Sequence, residues 1–403
     1  MRFDIFAVLV IRCLGAGLGF LLTIIITNSL TQEEVGRYFY ILSFAMVVIA
    51  VGSLGLNNVV LKMVSADSKR ANLIVGTSIV MVLLGSLLIL PLAYGFLIIE
   101  GYKEQYSILI AILSSILIGI VSHAMQGLGK AKQAIFYGGV AYQFVFIALV
   151  NLQGNLSFDR LIKLYAASNL ITFICLLITW LYHKGPFWKL DDEYKKYLVP
   201  ASALIFFQLF QELNMAIGQL LMGSRGHSLE LAVYAVCFKL STLIGFVGFA
   251  INRVVSPEFA KAYQSKDSIR LQSLLMKSRN LSLSLIFPVV LVVPFYSKQI
   301  LSYFGTEYVP YGWYLTLVVI AQIFTLLNGT LAYFMIMCGY EKPYSKQIFY
   351  VCILTFGAGY CLIDLNPLIV SILCFISIQL WPLFFSSRFI NRNLNVNYWK
   401  FES

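Results

Sequence analysis

Uninterrupted apolar stretches of about eighteen to twenty-five residues recur from one end of this 403-residue chain to the other, and nothing else in the sequence narrows the possible folds as far. A bilayer core about 30 Å thick takes roughly 20 helical residues to cross. Hydrophobic residues make up 60% of the chain and charged residues 12%, more apolar surface than a water-soluble fold could bury. The stretches are continuous rather than alternating, which excludes a transmembrane β-barrel, and a helix satisfies its own backbone groups in hydrocarbon. The expected class is all-α: a polytopic membrane protein of about twelve transmembrane helices.

The spans fall at about 4–27, 36–60, 73–99, 105–127, 134–152, 161–183, 198–223, 231–255, 279–302, 311–338, 345–363 and 367–387. The first lacks a small-residue cleavage site and reads as a retained helix. The formal charge of +11 would suggest nucleic acid in a soluble protein. Here topology explains it. With both termini cytoplasmic, only Arg37, Lys103, Arg160, Lys163, Arg225 and Lys298 of the 29 Lys and Arg fall outside, and Lys239 sits within a span. That asymmetry is the positive-inside pattern, and no nucleic-acid partner is implied.

All seven cysteines lie in expected spans, without CxxC pairs or metal-ligand spacing, and read as small apolar fillers. His123, His183 and His227 stand apart from acidic or cysteine partners, there is no P-loop, and no outer loop is large enough for a catalytic domain. No enzyme, metal site or cofactor is expected.

Weak internal echoes divide the chain into 1–183 and 198–403, joined by the polar connection 184–197. Glu34-Val35-Gly36-Arg37-Tyr38 opens the second span as Glu230-Leu231-Ala232-Val233-Tyr234 opens the eighth. Pro91 and Pro288 interrupt the third and ninth. Met125, Gly129 and Lys132 leave the fourth with the spacing of Met335, Gly339 and Lys342 leaving the tenth. In this order they suggest a parallel repeat of six spans. Between Ser256 and Arg279, Pro257 is expected to end a span, and Phe259, Ala262, Leu271, Leu274 and Leu275 alternate with basic residues as in a helix lying on the inner membrane surface, a headgroup anchor before a gate.

Ionisable residues inside spans are costly and are functional candidates by default. Glu212 stands among Gln208, Gln211, Asn214 and Gln219, with 208, 211, 212, 215 and 219 on one helix face. Lys239 has a similar expected depth, so the two can pair, either as a cavity pair whose lysine meets an anionic substrate or as a structural buried ion pair. Arg12, about 12 Å into the first span at ~1.5 Å per residue, can snorkel or can meet phosphate oxygens through its bidentate guanidinium. Arg253 reads as a headgroup contact first and a cavity residue second. Gln126 and Asn328 are weaker cavity candidates. Asn57 and Asn58, beside Gly52 and Gly55, and Asn252 fit helix packing better than sugar binding. Tyr303, Phe304, Tyr308, Tyr311, Trp313 and Tyr314 read mostly as an interfacial belt.

Three stretches, LTQEEVGRYFYILSF to VGSLGLNNVVLK, VYAVCFKL through INRVVSPEFAKAYQSKD, and YFGTEYVPYGWYL to YFMIMCGYEKPYSK, resemble in order and separation the loop–helix junctions of the polysaccharide and O-antigen flippases. These are the oligosaccharidyl-lipid branch of the superfamily that includes the multidrug and toxin extruders. The resemblance runs from about residue 5 to 390. It implies two six-helix lobes around a central cavity and alternating access. It also implies translocation of an undecaprenyl-pyrophosphate-linked oligosaccharide from the inner to the outer leaflet of the bacterial inner membrane. Its implied partners are that lipid-linked substrate, membrane lipids, H+ or Na+ as coupling ion, and a polysaccharide polymerase. A hydrated glycan cannot cross hydrocarbon, since each unpaired polar group costs several kcal/mol, whereas a polar cavity replaces its water. The nearer rival is a cation-coupled drug antiporter of the same superfamily, which should carry an acidic residue in its early spans. The farther rival is a membrane glycan polymerase or acyltransferase, which should carry a large outer loop or paired His and Asp.

Overall fold

In the computed structural model, which describes residues 2–152, 156–186, 190–191, 195–394 and 396–399, the chain folds into α-helices with no strand among the described residues. In chain order they are α1 (Arg2–Ser29), α2 (Gln32–Gly52), α3 (Leu56–Ala66), α4 (Ala71–Ile99), α5 (Gln105–Gly127), α6 (Ala131–Gly139), α7 (Ala141–Asn151), α8 (Phe158–Lys184), α9 (Lys195–Ser224), α10 (Ser228–Gln264), α11 (Ser268–Ser302), α12 (Gly312–Met337), α13 (Glu341–Leu362) and α14 (Pro367–Leu394). Among the described residues nine helices are long and apolar enough to cross a membrane, or ten if α6 and α7, bent by 43° at a short break, count as one. The chain is a multi-pass membrane protein.

A helix occupies every segment expected to span, but two are interrupted. The 36–60 segment breaks at Ser53–Gly55, where Leu54 and Gly55 take φ of 51° and 69°, and 134–152 is the bent α6–α7 pair. α9 and α13 lie where spans are expected, outside that count of described residues. α13 opens with Glu341, Lys342, Lys346 and Gln347.

The chain separates into two compact units, Met1–Glu34 with Ile41–Glu212, and Val35–Tyr40 with Leu213–Ser403. In the first, α5 is central, packed on α3, α4, α6 and α8, with Ile112, Ile120, Val121 and Met125 fully enclosed. The beginning of α9 belongs here because its partners do. Arg70 reaches Asp191 at 3.0 Å, the Tyr197 hydroxyl donates to the same carboxylate at 3.0 Å, and Ser53 Oγ donates to Gln208 Oε1 at 3.4 Å. Asn57 is buried against Gly119, where an added Cβ would stand 3.1 Å from its Oδ1, an oxygen without a hydrogen-bond partner among the described residues.

In the second unit α12 is central, packed on α10, α11 and α14. The start of α2 belongs to it because Gly36 lies so close to Ser228 that an added Cβ would stand 1.8 Å from the serine carbonyl oxygen. The two central helices end alike. After α5 the Lys130 amide donates to the Met125 carbonyl with Gly129 at φ 79°, and after α12 the Tyr340 amide donates to the Met335 carbonyl with Gly339 at φ 78°. Both are left-handed glycine caps that satisfy carbonyls the helix would otherwise orphan. The Met-Gly-Lys echo is therefore a repeated cap on equivalent helices.

Two sequence expectations are corrected here. Pro257 does not end its helix: α10 runs on to Gln264, and 265–267 turn the chain directly into α11. The residues expected on the membrane surface are core, with Phe259, Ala262, Leu271 and Leu275 buried together against Leu331 and Phe334. Nor is the aromatic cluster mainly a belt. Phe304, Tyr308 and Tyr314 are almost wholly buried, and Tyr303 and Trp313 are the ones exposed.

Candidate functional site

α10 sets the most informative side chain. Leu231 through Phe238 are all buried, and Lys239 then emerges exposed. At ~1.5 Å per residue it lies about 17 Å from the start of the helix, near the middle of a bilayer core. Its ammonium has no carboxylate within ion-pairing distance among the described residues, and its carbonyl accepts from the Thr242 hydroxyl at 2.7 Å. The opposite face of α10 is polar but closed. Ser241 accepts from Gln322 Nε2 at 2.9 Å, and the amide oxygen of Asn252 is buried without a hydrogen-bond partner.

Asn328 belongs to a closed network rather than an open surface. It is buried on α12, donates to Gln379 on α14 at 2.8 Å, and accepts from the Tyr344 hydroxyl of α13 at 3.4 Å. Its two bonds join three helices. A buried amide in an apolar bundle must find partners or cost about 1–3 kcal/mol, and these meet that need.

In the first unit, Glu212 lies within α9, half-buried, with no ion pair or side-chain hydrogen bond among the described residues. The face anticipated from the sequence is present: Gln208, Glu212 and Gln219 are half-buried while Gln211 and Met215 are exposed. Arg12 is half-buried on α1. Gln126 is half-buried at the end of α5, its side-chain amide without a hydrogen-bond partner among the described residues. The side chain of Arg253 lies outside the described residues. No group of three or more His, Cys, Asp or Glu among the described residues could hold a metal ion.

Arg279 is a residue that sequence reasoning missed. It counted there only as one of many inner basic residues, yet its side chain is 2% exposed. Its guanidinium donates to Asn280 Oδ1 at 3.0 and 2.8 Å and to the Tyr398 carbonyl. Tyr398 and Trp399 are drawn in with it. The Tyr398 hydroxyl donates to the Leu327 carbonyl at 3.0 Å, and Trp399 Nε1 donates to Ser387 at 3.2 Å. Such long-range pairing leaves no local signal in a sequence.

Residues 203–362 match the family described as MatE, which is less than half of the chain. No curated protein matches the sequence. Solved structures match over almost its whole length. One is the inward-facing conformation of a multidrug resistance MATE family transporter of the MOP superfamily, with a TM-score of 0.74, 12% identity, and coverage of 96% of this chain and 94% of that one. Another is the lipid II flippase MurJ in an inward closed conformation, at 0.72 and 13%, covering 95% and 87%. A MATE in complex with MaD3S follows at 0.65 and 12%, covering 96% of each. At these identities the likeness establishes the fold: the chain has the all-helical fold of the MATE and MurJ transporters.

Proposed function

We propose that this chain is a transporter, not an enzyme. In this reading it flips an undecaprenyl-pyrophosphate-linked oligosaccharide, an O-antigen or related polysaccharide repeat unit, from the inner to the outer leaflet of the bacterial inner membrane. It works by alternating access, with 1–183 and 198–403 as its lobes, 184–197 as their connection and both termini in the cytoplasm. The carrying observation is Lys239: a mid-span cation with an exposed side chain and no carboxylate partner among the described residues. Turned toward lipid it would cost about 2.5–3.5 kcal/mol on insertion scales, so it belongs in water, where it is available to an anionic headgroup. Arg12 adds a second half-buried cation for phosphate. The MurJ likeness, a lipid II flippase by its description, supports a lipid-linked substrate.

Glu212, although in the seventh expected span and not an early one, favours a second reading. It is a half-buried carboxylate deep in α9, the kind of group that binds a proton or Na+, and the MATE likenesses include a multidrug resistance transporter. In the flippase reading Glu212 is the coupling site, where each charge crossing the membrane supplies about 2.3 kcal/mol per 100 mV. A polysaccharide polymerase would take up the product. Purified protein in liposomes is expected to move a fluorescent undecaprenyl-pyrophosphate oligosaccharide between leaflets. Export of cationic dyes against a proton or Na+ gradient, with no movement of the glycan lipid, would replace this reading with the antiporter.

A further inference from the structure

α13 and α14 leave an open apolar groove of ≈ 620 Å³ between them, on the second unit alone. Its edges run from Gln347 to Leu362 on one helix and from Val370 to Phe385 on the other, each about 22 Å long at 1.5 Å per residue. Leu354, Leu373 and Trp381 line it, and each is more than half exposed. In a membrane such a surface holds hydrocarbon. What makes it more than a passive face is its mouth.

Ser386 Oγ donates to Gln347 Oε1 at 3.0 Å, which marks where the two helices meet at that end. One residue from Gln347, the exposed Lys346 holds its ammonium 6.0 Å from the ring of Tyr350, a groove residue. Two residues from Ser386, the exposed Arg388 holds its guanidinium 4.0 Å from the ring of Phe384. That ring packs edge-on against Phe385, which stacks on Trp381 inside the groove. The Lys346 ammonium therefore stands at a ring of the lining and the Arg388 guanidinium one aromatic ring from it, one cation on each edge, with Lys342 and Arg392 further along the same ends. The carboxylate of Glu341 lies in the first turn of α13, a turn before Lys346.

We propose that this groove is a binding site for an anionic phospholipid of the leaflet on the Lys346 side, with an acyl chain along α13 and α14 and its phosphate between Lys346 and Arg388. The site requires nothing of the transport reading. Bidentate guanidinium and point-charge ammonium both suit phosphate oxygens, and aromatic rings beside them match the depth where chain meets headgroup. A zwitterionic lipid can fill the groove but gains less at its mouth.

The test is quenching of Trp381 fluorescence by phospholipids with brominated chains. The Trp381 signal is taken as the difference between the wild type and Trp381→Phe in the same vesicles. In phosphatidylcholine vesicles containing a minor fraction of brominated lipid, brominated phosphatidylglycerol should quench that signal with about fivefold greater apparent affinity than brominated phosphatidylcholine, the effect of a single well-placed basic residue. In Lys346→Gln/Arg388→Gln, whose altered side chains are exposed and outside the packed core, the preference should vanish while quenching by brominated phosphatidylcholine persists. Equal quenching by the two lipids in the wild type, an undiminished preference in the double variant, or no brominated-lipid quenching of Trp381 would each overturn the proposal.

Discussion

At the scale of single residues, Lys239 and the paired glycine caps show what a sequence can and cannot disclose. Lys239 was legible because a lysine inside an apolar run is conspicuous. Asn328 looked similar, but its amide is bonded to Gln379 and Tyr344 on other helices. Gly129 and Gly339 hold φ near 78°, a region where an L side chain costs about 1–2 kcal/mol. Gly129→Ala and Gly339→Ala are each expected to lower the apparent Tm of purified protein by ~2–4 °C, without altering helix content by circular dichroism. Unchanged melting in both would mean the caps are not held as described. Gly36→Val should do worse, because the added carbons meet the Ser228 carbonyl rather than a movable side chain, and a sharp fall in folded yield is the expected reading.

At the scale of elements, long apolar runs such as 105–127 and 311–338 came through nearly to the residue, since lipid demands an unbroken helix. The breaks did not. Nothing in the run to Gly52 requires Leu54 to take φ 51°, and Pro257 sits in a helix that simply continues. The 256–279 segment misled because burial against the protein's own α12 and burial in a membrane surface ask for the same amphipathic pattern.

Its solvent side makes a separate prediction. Lys261 first, and then Arg270, hold the Glu258 carboxyl below the usual carboxylate range. The folded value is depressed, so the contribution is complete above the ordinary pKa of about 4.3 and is lost as pH falls through the folded value. The thermal advantage of wild type over Glu258→Gln should therefore be constant near neutrality and shrink in acid below about pH 4; an advantage that does not change with pH would contradict it. The chain end offers another check. Tyr398→Ala removes a fully buried ring, at a cost of about 3–5 kcal/mol, and should leave residues 396–399 open to cleavage in limited proteolysis, whereas the wild type resists. Equal resistance would mean Arg279 and Leu327 do not secure the tail.

At the scale of the whole molecule, the class and the approximate number of spans followed from composition and run length, while the substrate does not follow from the fold, which carries both drug exporters and a lipid II flippase. A cation inside a span suits an anionic substrate and a carboxylate there suits a cation. This account gives the transporting role to an exposed cation, Lys239, and the energising role to a carboxylate, Glu212. The most direct test is the initial rate of leaflet translocation of an undecaprenyl-pyrophosphate oligosaccharide in liposomes by wild type, Lys239→Arg, Lys239→Ala and Glu212→Gln, each confirmed folded. The account predicts substantial activity for Lys239→Arg, a loss of at least tenfold for Lys239→Ala, equivalent to about 1.4 kcal/mol, and a rate in Glu212→Gln that no longer responds to an imposed ion gradient. Full activity in Lys239→Ala would contradict it.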